Sequence, residues 1–274
     1  MSAPVLAYCP VPLRHLGRIV HEGWPLAGFE RAKAQPGIRT FVSRASLHEV
    51  LLDEAGEMSA EVGAEMGCEP MAILTVRIAP GARHAPGAGF VWTLFDPIAP
   101  EAILAITDDE DGSLAIEGFS PTLLGYRAGA LDSPRGVFFA DSFDVAWIYA
   151  QHNGSEVCAY ALQPQRILDL ESPYVWEAKR LGLSVPEVLE HKASRRDPYF
   201  LRNLDARILA QARRDGFDAI RYSQPTAPLA NFEIVLVDAK SATRLGFCDD
   251  QGVVWPMDHD LGLESPPIIH RLPE

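Results

Sequence analysis

The sequence predicts an α+β fold, in which short strands and helices follow one another without the regular alternation of a doubly wound sheet. Short apolar runs of strand length recur along the whole chain, and segments with apolar residues at helical spacing stand between them in irregular order. The composition is that of an ordinary globular protein, with 47% hydrophobic residues among 274 and a mean hydropathy near zero.

The first 107 residues are predicted to form an α+β domain. A helix over residues 13–21 ends at Gly23, because glycine adopts the backbone conformation that terminates a helix. A second helix over residues 47–66 carries apolar residues at roughly helical spacing. The predicted strands are residues 5–9, 40–43, 72–78 and 91–95.

Residues 114–250 are predicted to form a second α+β domain. Ser142 is the expected N-cap of a helix over residues 143–151, and Gly216 stops a helix over residues 202–215. Two further helices cover residues 175–181 and 185–191. The predicted strands are one that ends near Tyr126 and those over residues 137–140, 156–162, 219–222 and 233–237.

The boundary between these domains is predicted at the acidic run of residues 108–113. Such a run of aspartate and glutamate with glycine and serine is costly to bury and indicates an exposed connection. Residues 251–274, which contain several prolines, are predicted to form an irregular tail.

The two halves show the same order of segments, which raises the possibility of an internal repeat. Residues 6–9, 40–43, 73–78 and 90–96 parallel residues 124–127, 138–141, 157–162 and 232–238, respectively. In this alignment Val91 stands opposite Glu233, and Cys9 opposite Arg127. The identities are few, so the chance alternation of apolar strands is the alternative explanation.

Charge and composition exclude several classes of function. The net charge is −13, both halves are acidic, and no basic stripe is visible, so nucleic acid is disfavoured as a tightly held partner. No apolar run has the length of a membrane span, and no secretory leader is visible at the N-terminus, so we expect a cytoplasmic protein. The four cysteines are widely spaced without a CxxC pair, which argues against a zinc site or a disulfide framework.

One helix departs from the acidic balance of the chain. The predicted helix over residues 202–215 carries Arg207, Arg213 and Arg214 on one side. A solvated helix face is the simpler interpretation of this pattern, and a site for an acidic partner is the alternative.

Three stretches of the second half resemble one family. The stretch Gly136-Val137-Phe138-Phe139-Ala140-Asp141 leads into a helix that carries Tyr149. The stretch over residues 231–238 contains the predicted strand over residues 233–237, which begins with an acid, Glu233. Residues 216–220 form a Gly-aromatic-Asp turn before it. In this order the stretches, from about residue 120 to 245, resemble the ADP-ribosyltransferase superfamily, including its poly(ADP-ribose) polymerase-like and bacterial toxin-like members.

The resemblance implies split antiparallel sheets with peripheral helices and a mono-ADP-ribosyltransferase activity, in the setting of a bacterial toxin or effector. NAD+ would be the substrate, with no metal, and a protein or other macromolecule would accept the ADP-ribose. The first half would be a degenerate copy of the same fold. Glu233 and Arg127 would be the catalytic residues. The Glu233 carboxylate would lie beside the reacting sugar, and Arg127 would bind the pyrophosphate or ribose hydroxyls through its planar donor fork.

The remaining site residues follow from the same resemblance. Tyr126, Ala128 and Gly129 would flank the main chain that holds the nicotinamide carboxamide. The ring of Tyr149 would stack on nicotinamide, and Phe138, which has no hydroxyl, would form an apolar wall. The acceptor would face Tyr222 and Asn231.

The chemistry of NAD+ cleavage agrees with an acid at this position. Breaking the nicotinamide–ribose bond develops positive charge on the sugar, and an adjacent carboxylate stabilises that charge. The chain departs from the family in having Phe138-Phe139-Ala140 where arginine-type members have Ser-Thr-Ser, and Arg127 with Phe138 where other members have His and Tyr. Two alternatives stay open, an NAD+ glycohydrolase and a catalytically inactive module that binds a nucleotide or a protein.

Overall fold

The computed structural model describes residues 3–25, 37–43, 47, 71–87, 90–108, 113–131, 136–195, 200–223 and 232–258. The chain divides into two compact units. The first contains Met1–Leu123 together with Leu245–Gly262, and the second contains Leu124–Arg244. The helix predicted over residues 47–66 lies outside the described residues except for Leu47. Both units combine a mostly antiparallel sheet with helices, which confirms the α+β class.

The first unit is built on a six-stranded antiparallel sheet of order β4-β5-β2-β1-β3-β6. Helix α1 is strongly amphipathic and packs its buried Leu16, Ile19 and Val20 into the core of this unit. Its elements are β1 (Leu6–Pro12), α1 (Leu13–Glu22), β2 (Ile38–Phe41), β3 (Met71–Arg77), β4 (His84–Pro86), β5 (Val91–Leu94) and β6 (Ile103–Thr107).

The second unit contains a sheet of order β10-β11-β12-β8-β7-β9-β13, in which β10 and β11 pair in parallel. Strand β13 begins in this unit, and its last residues pair with β14 (Val254–Trp255) in the first unit. The elements of the second unit are β7 (Leu123–Ala128), β8 (Val137–Ala140), α2 (Phe143–Asn153), β9 (Val157–Leu162), β10 (Ile167–Leu170), α3 (Pro173–Leu181), α4 (Val185–Arg195), α5 (Phe200–Arg214), β11 (Ala219–Tyr222), β12 (Glu233–Leu236) and β13 (Ala242–Cys248).

The two sheets share one topology. If β10 is set aside and the strands from β7 are renumbered from one, the second sheet has the order 4-5-2-1-3-6, which is the order of the first. The register matches as well, because Tyr8, Phe41 and Val91 form one cross-strand row, and Tyr126, Ala140 and Glu233 form the other. The repeat suggested by the sequence is therefore present in strand order and register. In the second strand, Phe41 corresponds to Ala140 by register, one residue further along than in the sequence alignment.

The division between the units does not follow the acidic run. Thr107 pairs with Ser113, and the Leu114 N–H donates to the Ile106 carbonyl at 3.0 Å, so the described residues on either side of the run pair with each other within the first unit. The division falls at Leu123 instead.

The predicted irregular tail contains a strand that we did not expect. Val253 and Val254 are each 1% exposed, and β14 pairs with β13. The apolar run from Val253 to Trp255 provides enough buried surface for a short strand, although Gly252 and Pro256 flank it. None of the helices in the described part of the chain has the length and apolar character needed to cross a bilayer.

The local signals that shape the candidate site were read correctly from the sequence. Strands β8 and β11 have the predicted bounds, and the Ser142 Oγ accepts a hydrogen bond from the Val145 N–H at 3.4 Å at the start of α2. Gly216 follows the last turn of α5 with a φ of 76°. The sequence analysis missed strands β4, β6, β10 and β13.

Gly136, which enters β8 with a φ of 89°, is expected to tolerate no side chain. A Cβ there would lie 2.6 Å from Val235 Cγ1 and 3.1 Å from the Leu236 carbonyl oxygen. Gly182 is the control, because it also has a positive φ, of 67°, but an added Cβ would have no atom within 4 Å. Its substitution therefore measures the backbone strain without a steric clash. Gly136→Ala should lower the free energy of unfolding by about 2–4 kcal/mol, and Gly182→Ala by about 1 kcal/mol. Denaturant unfolding followed by circular dichroism measures both, and equal losses would contradict the packing at Gly136.

Candidate active site

One row of four residues crosses the centre of the second sheet. Tyr222 on β11 lies opposite Glu233 on β12, which lies opposite Ala140 on β8, which lies opposite Tyr126 on β7. Residues directly opposite each other on paired strands project from the same face of a sheet. The row therefore places a carboxyl group, Glu233, on the same face as two tyrosines.

Two helices cover this face of the sheet. Ala140 packs with Val145 of α2, and the Tyr126 ring meets Phe143 of α2 edge-on at 6.5 Å. At the other end of the row, Tyr222 packs in a cluster with Leu204 and other apolar residues of α5. Glu233 is therefore the carboxyl-bearing member of a row whose neighbours pack under α2 on one side and under α5 on the other.

The environment of Glu233 disfavours its ionised form. Burial raises the pKa of the Glu233 carboxyl above its usual range, and the negative charges of Asp205 on α5 and Asp141 after β8 raise it further. Asp141 also braces the start of β12, because its Oδ2 accepts a hydrogen bond from the Phe232 N–H at 3.2 Å. A half-buried carboxyl with a raised pKa is suited to general acid–base chemistry.

The ring of Tyr149 lies close enough to Glu233 for their charges to interact. Burial raises the pKa of the Tyr149 hydroxyl, and the charge of Glu233 raises it further. Tyr149 is nevertheless 51% exposed on α2, so part of its ring is open to solvent. An accessible aromatic surface beside a half-buried carboxyl can bind a flat, electron-poor ring by stacking.

Arg127 lies on the other face of the sheet. It follows Tyr126 in β7, and successive strand residues project to opposite faces. Its Nη1 donates to the Phe138 carbonyl at 2.8 Å, and its Nε and Nη2 donate to the Ala130 carbonyl at 2.9 and 2.6 Å. Its charge also acts on the Tyr160 hydroxyl. The structure therefore does not bring Arg127 to Glu233, contrary to the expectation that the two meet in one cleft.

Other residues on the same face as Arg127 confirm this assignment. A Cβ on Gly125 would approach the side chains of Phe139 and Leu162, and the rings of Phe139 and Tyr160 meet edge-on at 5.2 Å. Phe139 is the neighbour of Ala140 in β8 and so projects away from Glu233. Together these residues form an apolar layer opposite the candidate site.

The acceptor-facing residues predicted from the sequence have different outcomes. Tyr222 is 1% exposed and belongs to the core under α5, so it does not face solvent. Burial raises the pKa of its hydroxyl, and the charges of Asp205 and Glu233 raise it further. Asn231 lies outside the described residues. The prediction that Tyr222 faces the acceptor is therefore wrong, because helix α5 covers β11 as well as β12 on this face of the sheet.

The residues around the end of β7 have mainly structural contacts. Tyr126 is 8% exposed and packs against Phe143. Ala128 is half-buried at the last position of β7, and Gly129, with a φ of 82°, donates its N–H to the Glu156 carbonyl at 3.4 Å. Phe138 is half-buried in the cluster under α5, on the same face as Glu233, where an apolar wall was expected.

The first unit fills the equivalent position with apolar side chains. Val91, the counterpart of Glu233 by register, packs in a cluster with Tyr8, Phe41, Leu47 and Ile73. Cys9, the counterpart of Arg127, is fully buried, and burial raises the pKa of its thiol. With valine in place of the acid, this unit lacks the carboxyl on which the candidate site is built.

Sequence reasoning missed Asp205 and Asp141 as members of the site. Asp205 is half-buried on α5 and follows Leu204, a core residue, so an acid next to the apolar stripe of that helix was the available signal. Asp141 directly follows β8 at the start of α2, a position that the sequence did single out as part of a motif. In the described part of the chain, no group of three or more His, Cys, Asp or Glu side chains could hold a metal ion.

Comparison of the chain with family models, with curated proteins and with solved structures finds no match. The assignment of a function therefore rests on the residues of this chain and on their geometry.

Removal of the Glu233 charge is expected to stabilise the folded protein at neutral pH. A carboxyl whose pKa is raised on folding opposes folding once it ionises, so its cost is absent below the unfolded pKa of about 4.3 and appears as the pH rises towards the folded pKa. Glu233→Gln should raise the free energy of unfolding by about 0.5–1 kcal/mol at pH 7 and leave it unchanged near pH 4. The exposed Glu190→Gln on α4 is the control. Urea unfolding at both pH values tests this, and a loss of stability at pH 7 would contradict it.

Proposed function

We propose that the second unit is a mono-ADP-ribosyltransferase, which cleaves the nicotinamide–ribose bond of NAD+ and transfers ADP-ribose to a macromolecular acceptor. The observation that carries the proposal is a half-buried carboxyl with a raised pKa, Glu233, beside the accessible ring of Tyr149. The mostly antiparallel sheet with helices on its face agrees with the resemblance at the level of fold class.

The proposed chemistry uses the negative character of the site. Nicotinamide in NAD+ carries a positive charge and stacks on the Tyr149 ring. As the bond between the ribose C1′ and the nicotinamide nitrogen breaks, its electron pair goes to nicotinamide, and positive charge develops on the sugar. The ionised Glu233 stabilises that charge, and Asp141 and Asp205 add to the negative potential.

The same carboxyl can serve the second half of the reaction. The acceptor nucleophile bonds to C1′, and its proton passes to Glu233. A raised pKa makes Glu233 a stronger base than an exposed glutamate. Phe138 contributes an apolar surface on the same face, which limits the access of water. A cytoplasmic location would supply the substrate.

Arg127 is given a positioning role in this proposal. Its guanidinium group ties the Ala130 carbonyl to the Phe138 carbonyl, and so it holds the end of β7 against β8. The pyrophosphate of NAD+ is then bound by groups other than the Arg127 side chain.

A second candidate function is favoured by the same placement of Arg127. Because its donors are directed at main-chain carbonyls on the face opposite Glu233, the described part of the site supplies no arginine to the pyrophosphate. A catalytically inactive module of the same fold, which binds a nucleotide or a protein, agrees with that feature. An NAD+ glycohydrolase would use the same Glu233 chemistry with water as the nucleophile.

The decisive measurement is the release of nicotinamide from NAD+ by the full chain. Glu233→Gln should lower the rate at least about 100-fold, the scale of a lost acid–base or charge-stabilising group. Tyr149→Ala should mainly raise the KM for NAD+, because it removes a stacking surface, whereas Tyr149→Phe should have little effect. Glu190→Gln, which removes an exposed carboxylate of α4, should match the unmodified chain.

The alternatives give distinct results in the same assay. Nicotinamide release that is equally fast with Glu233→Gln would contradict the proposal. NAD+ binding without release would identify the inactive module. Release of free ADP-ribose with no transfer of labelled ADP-ribose to proteins of a cell lysate would identify the glycohydrolase.

A further inference from the structure

A basic groove lies between two helices of the second unit, away from the row that contains Glu233. Helix α3 contributes Trp176, Lys179 and Arg180, and helix α5 contributes Arg207, Gln211 and Arg214. These positions are spaced three and four residues apart in each helix, so each trio forms one helix face. The groove encloses about 620 Å³.

A buried glutamate orients two of the four basic side chains that line the groove. Glu177 is 3% exposed, and its Oε2 and Oε1 accept hydrogen bonds from Arg180 Nε and Nη2 at 2.7 and 2.9 Å. Its Oε1 also accepts from Arg207 Nη2 at 2.7 Å. These hydrogen bonds hold the pKa of Glu177 below its usual range, so it stays ionised and keeps both guanidinium groups in fixed positions.

The remaining polar side chains of the groove keep unused hydrogen-bonding capacity. The Arg180 and Arg207 side chains are 43% and 46% exposed, so donors that Glu177 does not engage reach solvent. Lys179 is exposed and has no hydrogen bond or ion pair within the described residues. Arg214 donates to Gln211 Oε1, and Gln211 donates to Asp215 Oδ2 at 2.8 Å. Four cationic side chains thus line a groove whose one buried acid is already satisfied.

We propose that this groove is a docking site for an acidic segment of a partner protein. Carboxylates of the segment would bind Lys179, Arg214 and the unused donors of Arg180 and Arg207. The half-buried Trp176 would pack against an apolar side chain of the same segment. Tryptophan and arginine are the residue types that dominate the binding energy of protein interfaces.

Charge complementarity favours a carboxylate-bearing segment as the occupant. The groove already binds one carboxylate, Glu177, through two guanidinium groups, which is the geometry that arginine offers to this group. The chain as a whole carries a net charge of −13, which repels a long continuous polyanion. A short acidic segment needs only the groove, whereas a nucleic acid would extend past it. The proposal does not depend on the NAD+ chemistry.

The test uses a fluorescein-labelled peptide of alternating glutamate and leucine, with the glutamine counterpart as the control probe. Fluorescence anisotropy with the full chain should detect binding of the acidic peptide at about 50 mM salt and its loss at about 0.5 M salt, because exposed ion pairs are screened. The glutamine peptide should not bind.

The double variant Lys179→Gln with Arg214→Gln should weaken peptide binding about five-fold, because two exposed ion pairs are lost. Neither residue contacts Glu177 in the described structure, so the fold should be unaffected, and denaturant unfolding checks this. The matched control is Lys192→Gln with Lys240→Gln, which removes the same charge outside the groove. Nicotinamide release should be unchanged in both double variants.

Three results would overturn the proposal. The first is that the unmodified chain does not bind the acidic peptide at about 1 mM. At this concentration a complex with a Kd of about 1 mM or lower would be detected. The second is equal weakening by the groove variant and the control variant, which would indicate a general charge effect. The third is tighter binding of a single-stranded oligonucleotide that the groove variant abolishes, which would make the groove a phosphate site.

Discussion

The candidate site of the second unit depends on the pairing of β12 with β8 and β11. This pairing places the Glu233 carboxyl on a face of the sheet that is mainly apolar. Glu233 begins β12, and register places it between Ala140 and Tyr222. Ala140 on one side packs under α2, and the buried ring of Tyr222 on the other side packs under α5. Burial disfavours the charge, and two neighbouring aspartates add to that cost. A carboxyl group perturbed in this way marks a candidate functional site.

The two units show how one sheet topology supports opposite kinds of interior. Both have the same strand order, and in both a tyrosine of the central strand begins the cross-strand row. In the first unit the row ends in Val91, and apolar packing completes the core. In the second unit the row continues to an acid and then to a buried tyrosine. A fold fixes where a side chain projects, and the residue at that position decides whether the place is core or site.

The sequence predicted most strands and helices of the second unit because their signals are local. Ser142 as an N-cap and the bounds of β8 and β11 depend on neighbouring residues. The face on which Arg127 projects depends on register, and a shift by one residue reverses it. The approach of Asp205 to Glu233 depends on how α5 lies over the sheet, which sequence spacing does not contain. The pairing of Thr107 with Ser113, which keeps both sides of the acidic run in the first unit, is likewise not contained in the sequence pattern.

The return of the chain to its first unit has a consequence for biosynthesis. Val5 donates its N–H to the Val254 carbonyl at 2.7 Å, and the Ser43 hydroxyl donates to the Gln251 carbonyl at 3.1 Å. These contacts join the start of the chain to residues that leave the ribosome after the whole of Leu124–Arg244. The first unit is therefore begun before the second is translated, yet it cannot complete these contacts until the second has left the ribosome.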